Sequence, residues 1–255
     1  MEAYFYEPPA ELDAFVERLW VGRWDLRGQE PHHTELLSDP CVHVVFEWGP
    51  ERCEARVVGV WTRLWRRTLA GQGFVRGVKL RAGAVAAIFD PPAAGLSNAI
   101  VPLDTIDARA AELMPALLDP GPDPEADNEA FAALVPWLVE RSATRASDPA
   151  ITRAIALVET IATTPELTSA QQVADHAGLS LRGLQRLFRA HVGASPKYVI
   201  RRNRLQEVAL RIERGEAPNL AALAAELGYA DQAHLTRDFK AIVGKTPRQF
   251  AASVV

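Results

Sequence analysis

The chain is short of cysteine, has no long apolar run, and shows no overall excess of positive charge. Two cysteines among 255 residues, Cys41 and Cys53, cannot staple a disulfide framework. With no export signal in view they are expected to be reduced thiols. The opening, MEAYFYEPPAELDAF, has acidic residues where a secretory leader has a basic stretch followed by an apolar core, so a cytoplasmic protein is expected. No apolar stretch approaches the ~20 residues needed to cross a bilayer, and no membrane partner is expected. The formal net charge of -4 is the wrong sign for a protein that meets nucleic acid. What is present, 48% hydrophobic and 24% charged residues, is the composition of a water-soluble globular chain long enough for two domains.

The net charge conceals a division. Residues 1–149 hold 14 Lys+Arg against 23 Asp+Glu, whereas residues 150–255 hold 14 against 9, so the two parts carry -9 and +5. The basic charge is gathered into one segment, which is where contacts to an anionic polymer would be sought.

The pattern of the chain divides at the same place. Residues 1–102 read as β-rich, with short β-branched and aromatic runs broken by Gly and Pro. CVHVVFEW (41–48) is the clearest strand, with Val42, Val44, Phe46 and Trp48 on one face. EARVVGVW (54–61), GFVRGVKL (73–80) and AVAAIF (84–89) read as further strands. Pro9 to Trp20 reads as a helix, from Leu12, Phe15, Val16 and Leu19 at i, i+3, i+4 and i+7. Residues 103–141 turn helical, with Leu103 to Leu118 and Asn128 to Arg141 separated by the structure-breaking DPGPDPEAD. Their apolar stripes suit domain packing or a homodimer interface. SATRASDP (142–149) marks the domain boundary, and helical sequence continues from it to the end.

Residues 150–255 contain a degenerate repeat of themselves. Val173-Ala174 with Gly178 recurs as Leu223-Ala224 with Gly228. Leu184, Phe188, Gly193 and Pro196 recur as Leu235, Phe239, Gly244 and Pro247. Each copy reads as a helix with a small residue facing its partner, a glycine that ends it, a polar cap (Ser180, then Asp231) and a second amphipathic helix, which is the grammar of a helix-turn-helix. The units fall at 170–190 and 220–241. In the first, burying Leu184, Leu187 and Phe188 leaves Arg182, Gln185, Arg186 and Arg189 outward. In the second, burying Leu235, Phe239 and Ile242 leaves Gln232, Ala233, Thr236, Arg237 and Lys240 outward. Guanidinium and amide groups read guanine and adenine edges, and an alanine or threonine methyl can meet a thymine methyl. Arg189, Lys197, Arg201 and Lys240 are placed for phosphate, and Arg202 and Arg204 either join them or form a solvated basic face. Between the units, residues 196–214 read as one helix of about 19 residues, roughly 28 Å at ~1.5 Å per residue. That length suits two readers set in major grooves ~34 Å apart.

These residues carry a resemblance. LSLRGLQRLFRAHVGASPKYVIRRNRL, followed by LAALAAELGYADQAHLTRDFKAIVGKTPRQF, resembles the DNA-binding domain of the AraC/XylS family of transcription regulators. The resemblance covers about 100 residues. It implies a seven-helix domain with two helix-turn-helix units in successive major grooves, and base contacts from Arg182, Gln185, Arg186, Gln232, Ala233, Thr236 and Arg237. Gly183 departs from the better helix formers usual at such a position. The likeness extends loosely to the N-terminal segment, where PPAELDAFVERLW, CVHVVFEWG and VKLRAGA resemble a subset of these regulators. The resemblance implies a sensor or dimerisation domain there, cupin-like or related in fold. RNA polymerase becomes an expected partner if the protein is an activator.

The whole is expected to be α+β: a mainly β sensor domain with flanking helices at 1–149 and an all-α double helix-turn-helix domain at 150–255. Five tryptophans, at 20, 24, 48, 61 and 65, exceed what one small core needs. His43, Trp48, Trp61 and Trp65 are the candidate walls of a pocket for a small hydrophobic or aromatic effector. His32, His33, Glu35, Cys41 and His43 have metal-ligand chemistry but match no closed site, so neither metal nor other cofactor is expected. The function expected is ligand-responsive, sequence-specific binding of double-stranded DNA, without enzyme activity. The alternatives are a DNA repair or modification enzyme with Cys41 or Cys53 as nucleophile, and an effector-independent dimeric regulator.

Overall fold

A computed structural model of the chain describes residues 1–36, 39–50, 52–90, 92–119, 124–216 and 219–254. Among the described residues, eight strands occupy the N-terminal segment: β1 (Glu2–Tyr6), β2 (Val16–Leu26), β3 (His32–Leu36), β4 (His43–Trp48), β5 (Cys53–Val58), β6 (Trp65–Leu69), β7 (Gly71–Leu80) and β8 (Ile100–Pro102). Six of them form an antiparallel sheet in the order β1-β2-β7-β4-β5-β8, and β3 pairs with β6 as a separate ribbon. Helices α1 (Val85–Ile88), α2 (Ala110–Leu117) and α3 (Pro124–Ala143) follow. Seven more complete the described chain: α4 (Pro149–Thr163), α5 (Ala170–His176), α6 (Leu181–His191), α7 (Pro196–Glu213), α8 (Leu220–Glu226), α9 (Gln232–Val243) and α10 (Pro247–Val254). The architecture is α+β, mainly β at the N-terminus and helical at the C-terminus.

Side-chain alternation gives the sheet two chemically distinct faces. Register places Val21 opposite Arg76, Val44 opposite Val78, and Phe46 opposite both Arg76 and Ala55. This face packs on helices through Leu117, Leu134 and Leu138. The other face carries Trp20, Trp24, Val45, Val75 and Val58, and the ribbon's Leu69 joins their separate cluster.

One polar hub lies within the helix-covered face. Asp127 of α3, fully buried, accepts Arg76 Nε at 2.9 Å, Arg23 Nη1 and Nη2 at 2.8 and 2.6 Å, and Tyr6 OH at 3.0 Å. Arg76, also fully buried, donates Nη1 to the carbonyls of Leu117 and Asp119 at 3.0 and 2.8 Å. Burial alone would raise the Asp127 carboxyl pKa, but the bonds donated by Arg23, Arg76 and Tyr6 outweigh it and hold the group below its ordinary range.

The apolar core does not stop at residue 149. Ile151 and Leu157 of α4, Val173 of α5 and Leu184 and Phe188 of α6 belong to the same buried cluster as the sheet and α1–α3. A separate cluster, including Leu205, Leu223, Leu235 and Phe239, forms the core of the last helices. The first helix-turn-helix is thus built onto the N-terminal core, and the second has a core of its own.

Three sequence expectations need correction. Residues 9–20 are not a helix: the chain turns through 10–15 and enters β2 at Val16. The periodic residues Leu12, Phe15, Val16 and Leu19 are all buried, but strand pairing of β2 along β7 prevails over the local pattern. AVAAIF is largely the short helix α1, since a brief apolar run is equally compatible with strand and helix. The stretch 103–118 is broken into a 3₁₀ turn at Leu103–Thr105 and α2. At the break Asp107 accepts Arg109 N, Trp137 Nε1 and Arg141 Nη1 at 3.0, 2.9 and 2.7 Å.

Candidate nucleic-acid interface

Each helix-turn-helix is set by its own caps. Ser169 and Gln172 form a capping box at the start of α5, with Ser169 N donating to Gln172 Oε1 at 2.9 Å. Gly178 follows with φ +61°, and Ser180 Oγ accepts Gly183 N at 3.1 Å to open α6. In the second unit Asn219 Oδ1 accepts Ala221 N and Ala222 N at 3.0 and 3.1 Å, Gly228 has φ +70°, and Asp231 Oδ1 accepts His234 N at 2.6 Å to open α9. Ala174 and Ala224 are fully buried where the paired helices cross. A Cβ on Gly183 would stand 3.2 Å from the capping Ser180 Oγ. The missing side chain thus leaves room for the cap.

Burial separates the faces of the two second helices. Leu184 and Phe188 of α6, and Leu235 and Phe239 of α9, are fully buried. Arg182, Gln185, Arg186 and Arg189 of α6 are exposed, as are Gln232, Ala233, Arg237 and Lys240 of α9, with Thr236 half-buried. None of these polar side chains has a hydrogen-bond or ion-pair partner within the described residues. Long cationic side chains held at the surface by no internal partner are free to engage an external anion at little desolvation cost.

Between the units α7 runs 18 residues, about 27 Å at ~1.5 Å per residue. Ser195 caps it through Tyr198 N at 3.2 Å, and Pro196 occupies its first turn. Its arginines do not form a basic surface stripe, contrary to expectation. Arg201 Nε lies 2.9 Å from Asp238 of α9. Arg202 is buried and pairs with Asp39 of the N-terminal domain and with Gln206. Arg204 stacks over the Tyr229 ring with its guanidinium 3.9 Å from the centroid. A helix with a packed unit at each end has little solvent face left for such groups. Of the four side chains expected at phosphate, Arg189, Lys197 and Lys240 are exposed, and Arg201 is half-buried in its ion pair.

The N-terminal domain holds a groove of about 330 Å³ between the ribbon and the open sheet face. His43 and Trp65 line it, together with Trp20 and Trp24. Trp48 lies on the opposite face, stacked on Phe74 at 5.8 Å, and Trp61 stands outside the groove, edge-on to Trp65 at 4.8 Å. Trp20 and Trp24 were legible in principle, because reading β2 as a strand puts Trp20, Gly22 and Trp24 on one face. Close backbone approach seats them: a Cβ on Gly77 would fall 2.3 Å from the Trp20 ring, and one on Gly73 would fall 2.4 Å from that of Trp24.

The residues weighed as metal ligands disperse. His33 Nδ1 lies 3.0 Å from Thr68 Oγ1, whereas Cys41 Sγ lies 3.5 Å from His43 Nε2. The Glu35 side chain lies outside the described residues, and no cluster of three such groups occurs among the described residues. Both cysteines are free. Burial pushes the Cys41 thiol up to about 12, which keeps it protonated and a poor nucleophile. Burial, with Lys79 adding to it, pulls His43 down to about 4, so its ring is neutral near pH 7.

The fold and these two faces define a protein with paired helix-turn-helix units. Residues 173–253 match the model of a helix-turn-helix domain, and residues 4–102 match that of a domain of unknown function (DUF6597). A Haemophilus influenzae protein described as an uncharacterized HTH-type transcriptional regulator is 32% identical over 84 residues, covering 33% of this chain and 28% of the relative. The chain thus spans little more than a quarter of that relative's length. Among solved structures, an AraC-type DNA-binding transcriptional regulator from Chromobacterium violaceum is 24% identical over 43% of this chain and 96% of its own, with a TM-score of 0.37. ToxT from Vibrio cholerae is 9% identical over 92% of this chain and 97% of its own, with a TM-score of 0.43. Residues 173–253 of this chain thus form a helix-turn-helix domain. No helix of the described residues is long and apolar enough to cross a membrane.

Proposed function

We propose that this chain is a transcription regulator that reads double-stranded DNA through α6 and α9 and responds to a small apolar molecule held in the N-terminal groove. The observation that carries the first part is the pair of exposed, unpartnered faces. Arg182, Gln185 and Arg186 on one, and Gln232, Ala233, Thr236 and Arg237 on the other, offer the donors, amides and methyl groups that base edges require. Arg189, Lys197 and Lys240 flank them as phosphate contacts. With α7 at about 27 Å, two readers in neighbouring grooves of one duplex are within reach of a single chain, so DNA reading does not depend on a homodimer.

Support for an effector is the groove itself, which has the size and apolar lining of a small-molecule site. An enzymatic role through Cys41 is disfavoured by its buried, protonated thiol. The test is DNA binding by Arg186→Ala and Arg237→Ala. Each is expected to lose ~1 to 3 kcal/mol of specific binding, with relaxed preference at the bases it reads and a native circular dichroism spectrum. Unchanged affinity in both variants would remove the base-reading assignment.

A further inference from the structure

The segment between β5 and β6, residues 59–64, is tied down firmly and touches both readers and the helix between them. Asn98 holds it. The Asn98 backbone sits at φ +52°, in the left-handed region that a non-glycine residue enters only when its surroundings fix it there. From that position its Oδ1 accepts Thr62 N at 2.9 Å and Thr62 Oγ1 at 3.0 Å. Asn98 N donates to Val60 O at 2.8 Å and Gly59 N to Ala99 O at 3.0 Å, so residues 59–62 and 98–99 are laced together.

Three contacts run from this piece to the C-terminal domain. At the first reader, a Cβ on Gly193, just past α6, would stand 2.8 Å from Ala93 O and 3.3 Å from Val60 Cγ2. On α7, Tyr198 OH donates to Trp61 O at 3.2 Å. At the second reader, a Cβ on Gly244, the residue that ends α9, would stand 2.7 Å from Leu64 Cδ2. Gly193 and Gly244 are equivalent positions of the internal repeat. One loop thus bears on the same point of both units, where a residue without a side chain admits the close approach.

α7 sets the distance between the readers, but attachment to a single rod leaves bending and rotation about its axis to be fixed elsewhere. The first reader is locked into the N-terminal core, whereas the second has a core separate from it. Leu64 gives the second reader another point of support, at the end of α9 itself. We infer that Leu64, held through Thr62 and Asn98, is a positioning residue for DNA reading: it fixes the orientation of α9 relative to α6, and with it the half-site spacing that the chain accepts. This rests on the DNA-reading proposal above and adds the N-terminal domain to what determines the operator.

The test is the affinity of the full chain for a duplex selected from random sequence, and for the same duplex with one base pair inserted between the half-sites. The insertion shifts one half-site by about 3.4 Å and turns it by roughly 35°. A braced pair of readers cannot keep base contacts in both, so wild-type affinity should fall at least roughly tenfold. Leu64 is a half-buried loop residue. Leu64→Ala should bind the selected duplex within about threefold of the wild type, and lose less than about threefold on insertion. Asn98→Gly removes the acceptor for Thr62 in a backbone conformation that glycine adopts freely, and should narrow the discrimination in the same direction. It carries the test should Leu64→Ala lose its native circular dichroism spectrum. A merely structural role would lower the melting temperature without changing the ratio of the two affinities. Discrimination absent from the wild type, or kept in full by either natively folded variant, would overturn the positioning role. DNA reading would still stand on the base dependence of Arg186→Ala and Arg237→Ala. Failure to select any duplex would overturn DNA reading itself, and the positioning role with it.

Discussion

Replacing Asp127 with alanine should be among the most damaging single changes in the N-terminal domain. It would strip a fully buried carboxylate from Arg76, itself fully buried, and from Arg23 and Tyr6. Breaking a buried pair from one side leaves an uncompensated charge and costs ~3–5 kcal/mol, a large share of the ~5–15 kcal/mol that holds a domain folded. At ~2–4 °C per kcal/mol for a chain of this size, the melting temperature should fall by roughly 6–20 °C. Asp127→Asn keeps one acceptor and should cost less. The pH dependence has a definite sign. The folded-state carboxyl is held below its ordinary value, so its stabilisation is complete above about pH 4 and disappears as the pH falls towards the lowered value. The wild type should therefore lose stability in acid more steeply than Asp127→Asn. Because the sheet and the first helix-turn-helix share one core, both should melt together, followed by far-ultraviolet circular dichroism and by loss of DNA binding. A melting temperature within ~2 °C of the wild type for Asp127→Ala, or separate transitions for sheet and first reader, would refute the reasoning.

Leu184→Asp and Phe239→Asp each force a charge into a fully buried site and should unfold their reader, seen as lost helical circular dichroism. Native spectra would mean that the buried and outward faces are exchanged. Removing Arg189, Lys197 or Lys240, exposed and unpartnered, should weaken binding to all duplexes and reduce the slope of log affinity against log salt by ~0.9 each. Arg201→Ala should leave that slope nearly unchanged, because its guanidinium faces Asp238, and an equal loss of slope would place it on the phosphate backbone instead.

The two readers could be read from sequence because everything that specifies them is local. Within each unit the glycine (178 or 228), the cap (Ser180 or Asp231) and the buried stripe (from Leu184 or Leu235) lie within about a dozen residues of one another. The N-terminal half depends on partners far away in sequence. Val16 to Leu26 become a strand through pairing with residues 71–80, which no local periodicity reports. The ribbon strands HHTEL and WRRTL are polar and lack strong alternation, so the lid of the groove was missed, and with it the role of Trp20 and Trp24. The arginines of α7 misled for a related reason. Helical spacing puts Arg202 on the same side of α7 as Leu205, but does not report that Asp39 waits for it or that Tyr229 waits for Arg204.

The central claim is that one chain sets α6 and α9 into consecutive major grooves. Hydroxyl-radical footprinting on a selected duplex tests it most directly. Two protected patches are expected on one side of the helix, with centres ~10 to 10.5 base pairs apart. Arg186→Ala should erase base preference in one patch and Arg237→Ala in the other. A single patch, or two patches affected equally by both variants, would contradict it.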